Sequence, residues 1–267
     1  MPAYGLIDQA IAGLQLGQHP RVDSALAGEN ILFGAPVFGY LGDDGRVWGA
    51  HQDTVNGLFS AVLVTANSIS GSITIKPNGA AAGTVVNFGP VVFATDSPTT
   101  MTAIIAAINA AITSASIAGV TASLGATALT INVTGKGVDI TAFSAVVTLG
   151  ASQATFSSTF TTAAKFKGVA LFIQTGGRDF GALANPSSAT AQYLAGMAVN
   201  VLNLGYLWVV TSVAVLDLQP VYVIIAPGAT QGQFTNVAGT NNYSISANFR
   251  ASQNSQGLAV VEVKSVA

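Results

Sequence analysis

The sequence predicts a mainly β protein: a β-barrel or sandwich host domain that carries a small inserted α+β domain. Three observations predict it. In residues 164–267, short runs rich in Val, Ile, Phe and Tyr recur roughly every 8–14 residues with Gly, Pro, Asn or Asp between them, the rhythm of a sandwich or barrel. Residues 57–163 contain only four charged residues, Lys76, Asp96, Lys136 and Asp139, whereas residues 1–56 and 164–267 hold the remaining charge. Inside that uncharged stretch one segment has helical spacing of its apolar residues. The composition shift at both edges predicts a discontinuous host domain, 1–56 plus 164–267, with 57–163 inserted into a surface loop whose ends lie close together.

Taken in order, residues 2–20, with DQAIAGLQLG, are expected to form an extended or short helical arm. ILFGAPVFGYL reads as a β run ended by the turn Gly42-Asp43-Asp44-Gly45, with RVWGAH returning as its partner. In the insert, SAVLVTA, GSITIK and TVVNFGPVVFA read as strands. A helix follows, with Ser97 as cap and Pro98 in the first turn, and a stripe of Met101, Ile104, Ile105, Ile108 and Ile112 to pack on a sheet. GVTASLG, ALTINVTG and AVVTLG complete the insert. The host then resumes with KFKGVALFIQ, followed by YLAGMAVNVLN and YLWVVTSV as two strands around the turn Asn203-Leu204-Gly205. QPVYVIIAP, with Pro220 and Pro227 at strand ends, YSISANF and GLAVVEVKS close the domain.

Composition narrows the function. Charged residues make up 7% of the 267 residues, against roughly 25% in ordinary soluble domains. A freely diffusing monomer keeps charge on its surface, so this chain is expected to lie against neighbours. The net charge is −2 and the basic residues are scattered, the closest pair being Lys165 and Lys167, which argues against nucleic acid as a partner. The absence of cysteine removes disulfides, thiolate metal sites and cysteine nucleophiles. The start of the chain lacks the pattern of a signal peptide. The long uncharged stretches between Asp96 and Lys136 and between Asp179 and Asp217 read as strands and turns, not membrane spans.

Catalytic constellations are sparse. His19 and His51 have no second His or carboxylate at metal-ligand spacing, and His51 with Asp53 reads as a polar edge or loop pair. No nucleophile elbow, phosphate-binding loop or dinucleotide fingerprint is present. Gly42-Asp43-Asp44-Gly45 lacks the further carboxylates of a calcium loop. Asp96 suits a helix N-terminus, Asp139 is a lone carboxylate, and Arg178 with Asp179 forms either a surface contact or a solvated loop pair. The aromatics, among them Tyr40, Trp48, Trp208 and Phe249, are spread as core or interface residues, not as a base-stacking platform. No catalytic, cofactor-binding or metal residue is assigned, no cofactor is expected, and the chain reads as a non-enzyme.

The host segments resemble the capsid cement, or decoration, proteins of tailed phages. PRVDSALAGENILFGAPV matches the family's Ala-Gly-Glu-like stretch followed by an apolar-Phe-Gly-x-x-Val strand, and KFKGVALFIQ matches its Phe-x-Gly-Val-Ala strand. YLAGMAVNVLNLGYLWVVT, QPVYVII, GQFTNVAGTNNYSISANF and GLAVVEV follow in the family's order. Two features depart from it: Asn203-Leu204-Gly205 lacks basic residues, and the insert has no counterpart in the shortest members. The resemblance implies a jelly-roll-like barrel that binds the outer face of a capsid at symmetry axes and stabilises contacts between capsomers. The implied partners are the major capsid protein and further copies of the chain, as a dimer or trimer. The implied location is the virion, after synthesis in the host cytoplasm, with the insert projecting outward. The alternative is a phage or bacterial surface adhesin or spike without catalytic activity, though no fixed-period repeat supports long trimeric stalks.

Overall fold

The computed structural model describes residues 15–43, 45–77, 80–148, 154–172 and 192–264. Asp44, Arg178, Asp179 and residues 2–14 of the expected arm lie outside the described residues. Packing divides the chain into two units, Met1–His51 with Ala164–Ala267, and Gln52–Ala163. The first unit opens with β1 (Gln15–Ala27), β2 (Ile31–Leu32), β3 (Pro36–Gly39) and β4 (Arg46–Val47). The second holds β5 (Thr54–Phe59), β6 (Ser68–Pro77), β7 (Thr84–Val92), α1 (Ser97–Ser114), β8 (Thr121–Leu124), β9 (Thr130–Thr134), β10 (Val138–Thr148) and β11 (Phe156–Thr161). The first unit resumes with β12 (Lys165–Ala170), β13 (Gln192–Tyr193), β14 (Ala198–Thr211), β15 (Pro220–Ile224), β16 (Phe234–Thr235), β17 (Asn242–Phe249) and β18 (Gly257–Val263). The compositional edge drawn at 56/57 falls inside β5, and the division by packing lies at 51/52 because β5 pairs with β9 and β11.

The first unit is a β-barrel built on β14. β14 pairs with β1 from Leu26↔Ala198 to Gln15↔Leu207, with a register shift near Arg21, and with β12 at Val169↔Leu202. Its C-terminal half pairs with β18, from Gly205↔Val263 to Thr211↔Gly257. From β18 the ladder continues through β17, β15 and β16, and Thr211↔Phe234 returns it to β14. Closure removes the exposed edges an open sheet would leave. Period-two alternation turns Leu207 and Val209 of β14, Val221 and Val223 of β15, and Val261 and Val263 of β18 inward, around Phe234 and Phe249.

This arrangement corrects the expected hairpin. YLAGMAVNVLN and YLWVVTSV are not two strands around Asn203-Leu204-Gly205, because β14 runs straight through that tripeptide as a strand of 14 residues. β1 pairs across the tripeptide as far as Leu207, while β12 pairs before it and β18 from Gly205 onward, so a continuous strand satisfies more backbone donors and acceptors than a hairpin would. Gly205 takes φ +133, and Asn203 is buried with its Nδ2 donating to Asp23 Oδ2 at 2.5 Å. The expected arm is likewise strand from Gln15 onward. The turn after Tyr40 forms as expected, with Gly42 at φ +78 and Gly45 at φ +81. Of the returning segment, Trp48 exchanges both backbone hydrogen bonds with Phe38, at 2.8 and 2.9 Å, while β4 pairs parallel with β1.

The second unit stacks α1 with two sheets, β10-β6-β7 and β11-β5-β9-β8, around one core. Met101, Ile104, Ile108 and Ile112 are fully buried in that core and Ile105 packs at its margin. The helix cap is Asp96 and not Ser97: Asp96 keeps an extended backbone and its carboxylate accepts from the Thr99 amide at 2.7 Å, while Ser97 is the first helical residue. SAVLVTA is a turn region, not a strand. There the Asn67 carboxamide accepts from the Val64 amide at 2.8 Å and Ala66 takes φ +71. The strand before this turn region, β5, and its pairing partner β11 had no expectation. Glycine and hydroxyl residues dilute their alternation, and Gly57 sits where a Cβ would lie 2.3 Å from Phe156 and 2.5 Å from Phe143.

Ile108→Ala, which leaves a cavity beneath α1, is expected to lower the unfolding free energy by about 2–5 kcal/mol in a urea titration. Gly57→Ala, which presses a methyl onto two Phe rings, is expected to lower it by about 1–3 kcal/mol. A change within ~0.5 kcal/mol in both would contradict the packing described.

Candidate functional site

A chain with 20 charged residues leaves few groups for chemistry, and the structure assigns most of the described ones to scaffolding. Glu29, between Gly28 and Asn30, is buried in the first unit. Its Oε1 lies 2.6 Å from His51 Nε2 and accepts the Gly49 amide at 2.5 Å. Gly28 is pressed against the Trp48 indole, where a Cβ would sit 2.3 Å from the ring. The pair therefore ties Gly28–Glu29 to the Trp48–His51 segment. Sequence reasoning singled out His51 but missed Glu29. The available signal was a lone carboxylate between small and apolar residues, a setting where a charge is tolerated only with partners.

Asp53 and Asp139 are buried in the second unit. Asp53 Oδ1 accepts the Ala163 amide at 2.6 Å, and its carbonyl accepts from Gly135 at 2.7 Å. Asp139 Oδ1 accepts from the Gln52 amide at 3.4 Å. Both carboxylates clip the two ends of this unit's chain to its body. The hydroxyl and amide of Thr99 hold the Asp96 carboxyl below its ordinary pKa. Lys165 and Lys167 are exposed on β12, the stem of Lys167 lying over Gly39. His19 lies in β1, and its side chain is outside the described residues. Among the described residues, no group of three His, Asp or Glu is placed to hold a metal ion. Among them, too, no helix is long and apolar enough to cross a membrane. A shallow hollow of about 240 Å³ in the first unit is lined by groups of both signs, Asp23, Asp43, Arg46 and Lys167 among them.

Two surface features of the first unit stand out. On the barrel wall, Glu262 of β18 accepts from the Arg250 Nε at 2.8 Å and from the Tyr206 hydroxyl at 3.0 Å. At one end of the barrel, Leu216, Leu218 and Val237 are exposed at 58%, 62% and 52%. The loops that carry them are fixed. Gln219 Oε1 accepts both the Leu216 amide and the Asn236 Nδ2 at 2.7 Å, and the Leu218 amide donates to the Phe249 carbonyl at 2.9 Å. Leu218 holds φ +67, which costs a non-glycine residue about 1–2 kcal/mol. A strained backbone that displays apolar side chains to water is characteristic of an interaction surface.

Comparison with known proteins gives one match: the family model described as structural cement protein (E217 gp24/Pam3 gp6) covers residues 108–264. The matched span begins inside α1, takes in β8 to β11, and includes every later strand of the first unit, with the Leu216–Leu218 loop inside it. No curated protein and no solved structure matches the chain.

The wall cluster generates a pH prediction. Partial burial works to raise the Glu262 pKa, but the Arg250 guanidinium and the Tyr206 hydroxyl outweigh it, so the carboxyl titrates below its ordinary 4.5. A depressed carboxyl contributes stability above its unfolded pKa and loses it as pH falls through the folded value. Melting curves of Glu262→Gln should therefore fall below wild type at pH 6–7, and the two should converge below about pH 4. A gap independent of pH would show that the charge is not what stabilises the cluster.

Proposed function

The chain belongs to the phage structural cement protein family, and from that premise we propose that it binds the outer surface of a capsid and holds adjacent capsomers together. Family membership gives it a structural, capsid-associated role in the virion. The observation that carries the reading is the extent of the match, which runs through the whole C-terminal part of the barrel. The finer proposal is physical. A filled shell fails where neighbouring capsomers part, and a clamp bound across the seam adds interface free energy there. A standard interface buries roughly 1,600 Å². Repeated over a lattice, modest interfaces gain strength by avidity.

We place the contact with the major capsid protein at the barrel end that displays Leu216, Leu218 and Val237. Burying one such side chain contributes about 1.5–3 kcal/mol. Their loops are already ordered, so little conformational entropy is lost on docking. The scarcity of ionic groups keeps the desolvation cost of this surface low. Self-association as a dimer or trimer fits the same composition. The chain is made in the host cytoplasm on this reading, and it performs no catalysis. The second unit is proposed as an insertion in a host-domain loop, projecting outward from the shell. Its ends lie together, Thr54 pairing with Thr161 and Asp53 bonding to Ala163, as an insertion requires.

Three outcomes check this. Gels of purified particles should show a copy number near that of the major capsid protein, and a handful of copies per particle would favour a spike instead. Leu218→Asp should abolish rebinding to shells stripped of the protein while leaving the melting temperature unchanged, whereas full rebinding would remove this surface from consideration. A chain in which a short glycine linker replaces residues 52–163 should fold and bind shells, and loss of folding would contradict the insertion.

A further inference from the structure

The outer face of the sheet β11-β5-β9-β8 carries hydroxyl and amide side chains in aligned rows. The strand registers align Thr161, Thr54, Thr134 and Thr121 in one row across all four strands. The next row is Thr159, Asn56, Asn132 and Ser123. Leu58 is the one apolar member of the row beyond, between Ser157 and Thr130. The opposite-facing residues Val55, Phe59, Ile131 and Val133 are buried, so alternation commits the hydroxyl and amide residues to the outside. Sheet geometry sets these groups about 4.8 Å apart across the strands and about 7 Å apart along them.

The face is chemically selective. It carries no charge, so it offers nothing to phosphate, sulfate or a nucleic acid. It lacks the aromatic platform of a base-stacking site and the apolar centre of a protein interface. Its hydrogen-bonding capacity is largely unused. Among the described residues, the side chains of Asn56, Asn132, Ser123 and Thr159 make no hydrogen bond, and Thr54 Oγ1 is buried without a partner. The outer face of the other sheet differs, because Val85, Val92 and Val146 stand exposed on it.

We propose that this face binds neutral, hydroxyl-rich polysaccharide. Hydroxyls and carboxamides both donate and accept, as a polyol requires, without the desolvation cost of charge. The face is an open sheet surface, so a single sugar buries little against it. A chain running along a row, across the strands, meets the grid about every 4.8 Å, a spacing close to that of successive sugar rings. Binding to one copy is weak, and display of many copies on one particle would multiply it. The inference does not depend on capsid binding, because it concerns the second unit alone.

The test is electrophoresis of the full-length chain in native gels cast with a neutral β-glucan, a neutral galactomannan, or dextran sulfate. Retardation is expected in a neutral gel and not in the sulfated one. Asn56→Val with Asn132→Val keeps β-propensity and should weaken retardation roughly tenfold or more by removing several hydrogen bonds, with an unchanged melting temperature. Ser72→Val with Ser144→Val, on the outer face of the other sheet, should leave it unchanged. No retardation in either neutral gel, retardation in dextran sulfate alone, or undiminished retardation of the Asn56/Asn132 variant would overturn the proposal. A wild-type dimer that this variant dissolves would overturn it too, by assigning the face to a second copy.

Discussion

The first unit hangs on the backbone of a single strand. β14 must satisfy donors and acceptors on both edges along 14 residues, and no single neighbour can reach all of them. β1 takes one edge as far as Leu207, β12 and then β18 take the other, and the contact with β16 at Thr211 closes the ring. Gly205, with φ +133, lies at the change of partner, where a side chain would resist the local bend. Asn203 sits two residues earlier with its amide donating to the exposed carboxylate of Asp23. Closure is what allows a surface with so little charge to stay ordered, since an open barrel would present unpaired strand edges to every copy nearby.

Scarcity of charge decides how the remaining ionic groups are used. Glu29 with His51 fastens two segments of the first unit, Asp53 and Asp139 hold the ends of the second, and Asp96 caps its helix. Glu262 takes Arg250 and Tyr206 as partners on the barrel wall. Each of these carboxylates answers a local hydrogen-bonding need. That distribution fits a structural role, the role that membership of the cement family assigns.

With ionic groups held in the scaffold, recognition falls to uncharged surface, and the two units offer different kinds. The first displays leucine and valine on rigid loops, one of them at a strained backbone position. The second displays rows of threonine, serine and asparagine on a flat sheet. Apolar side chains on ordered loops suit a permanent protein contact, whereas a hydroxyl grid suits weak and repeated contact with a polar polymer. On the proposed reading, attachment falls to the first unit and polymer contact to the second.

The sequence by itself determined the features that depend on near neighbours. The mainly β class, the stripe from Met101 to Ile112 and the glycine turn after Tyr40 were all legible, because side-chain periodicity and positive φ are local properties. Tertiary structure decided the rest. Asn-Leu-Gly reads as a turn, and only partners 60 residues downstream and 180 upstream, Val263 opposite Gly205 and Asp23 beside Asn203, make it the middle of a strand. Ser97 and Asp96 are both good caps, and the backbone of Asp96 settles which one serves. β5 and β11 carry too much glycine and hydroxyl to announce themselves, and pairing across about 100 residues reveals them. Glu29 finds His51 the same way. Backbone hydrogen bonds between strands carry no signature of their partner in either segment alone, so only the assembled sheet shows which residues they bring together.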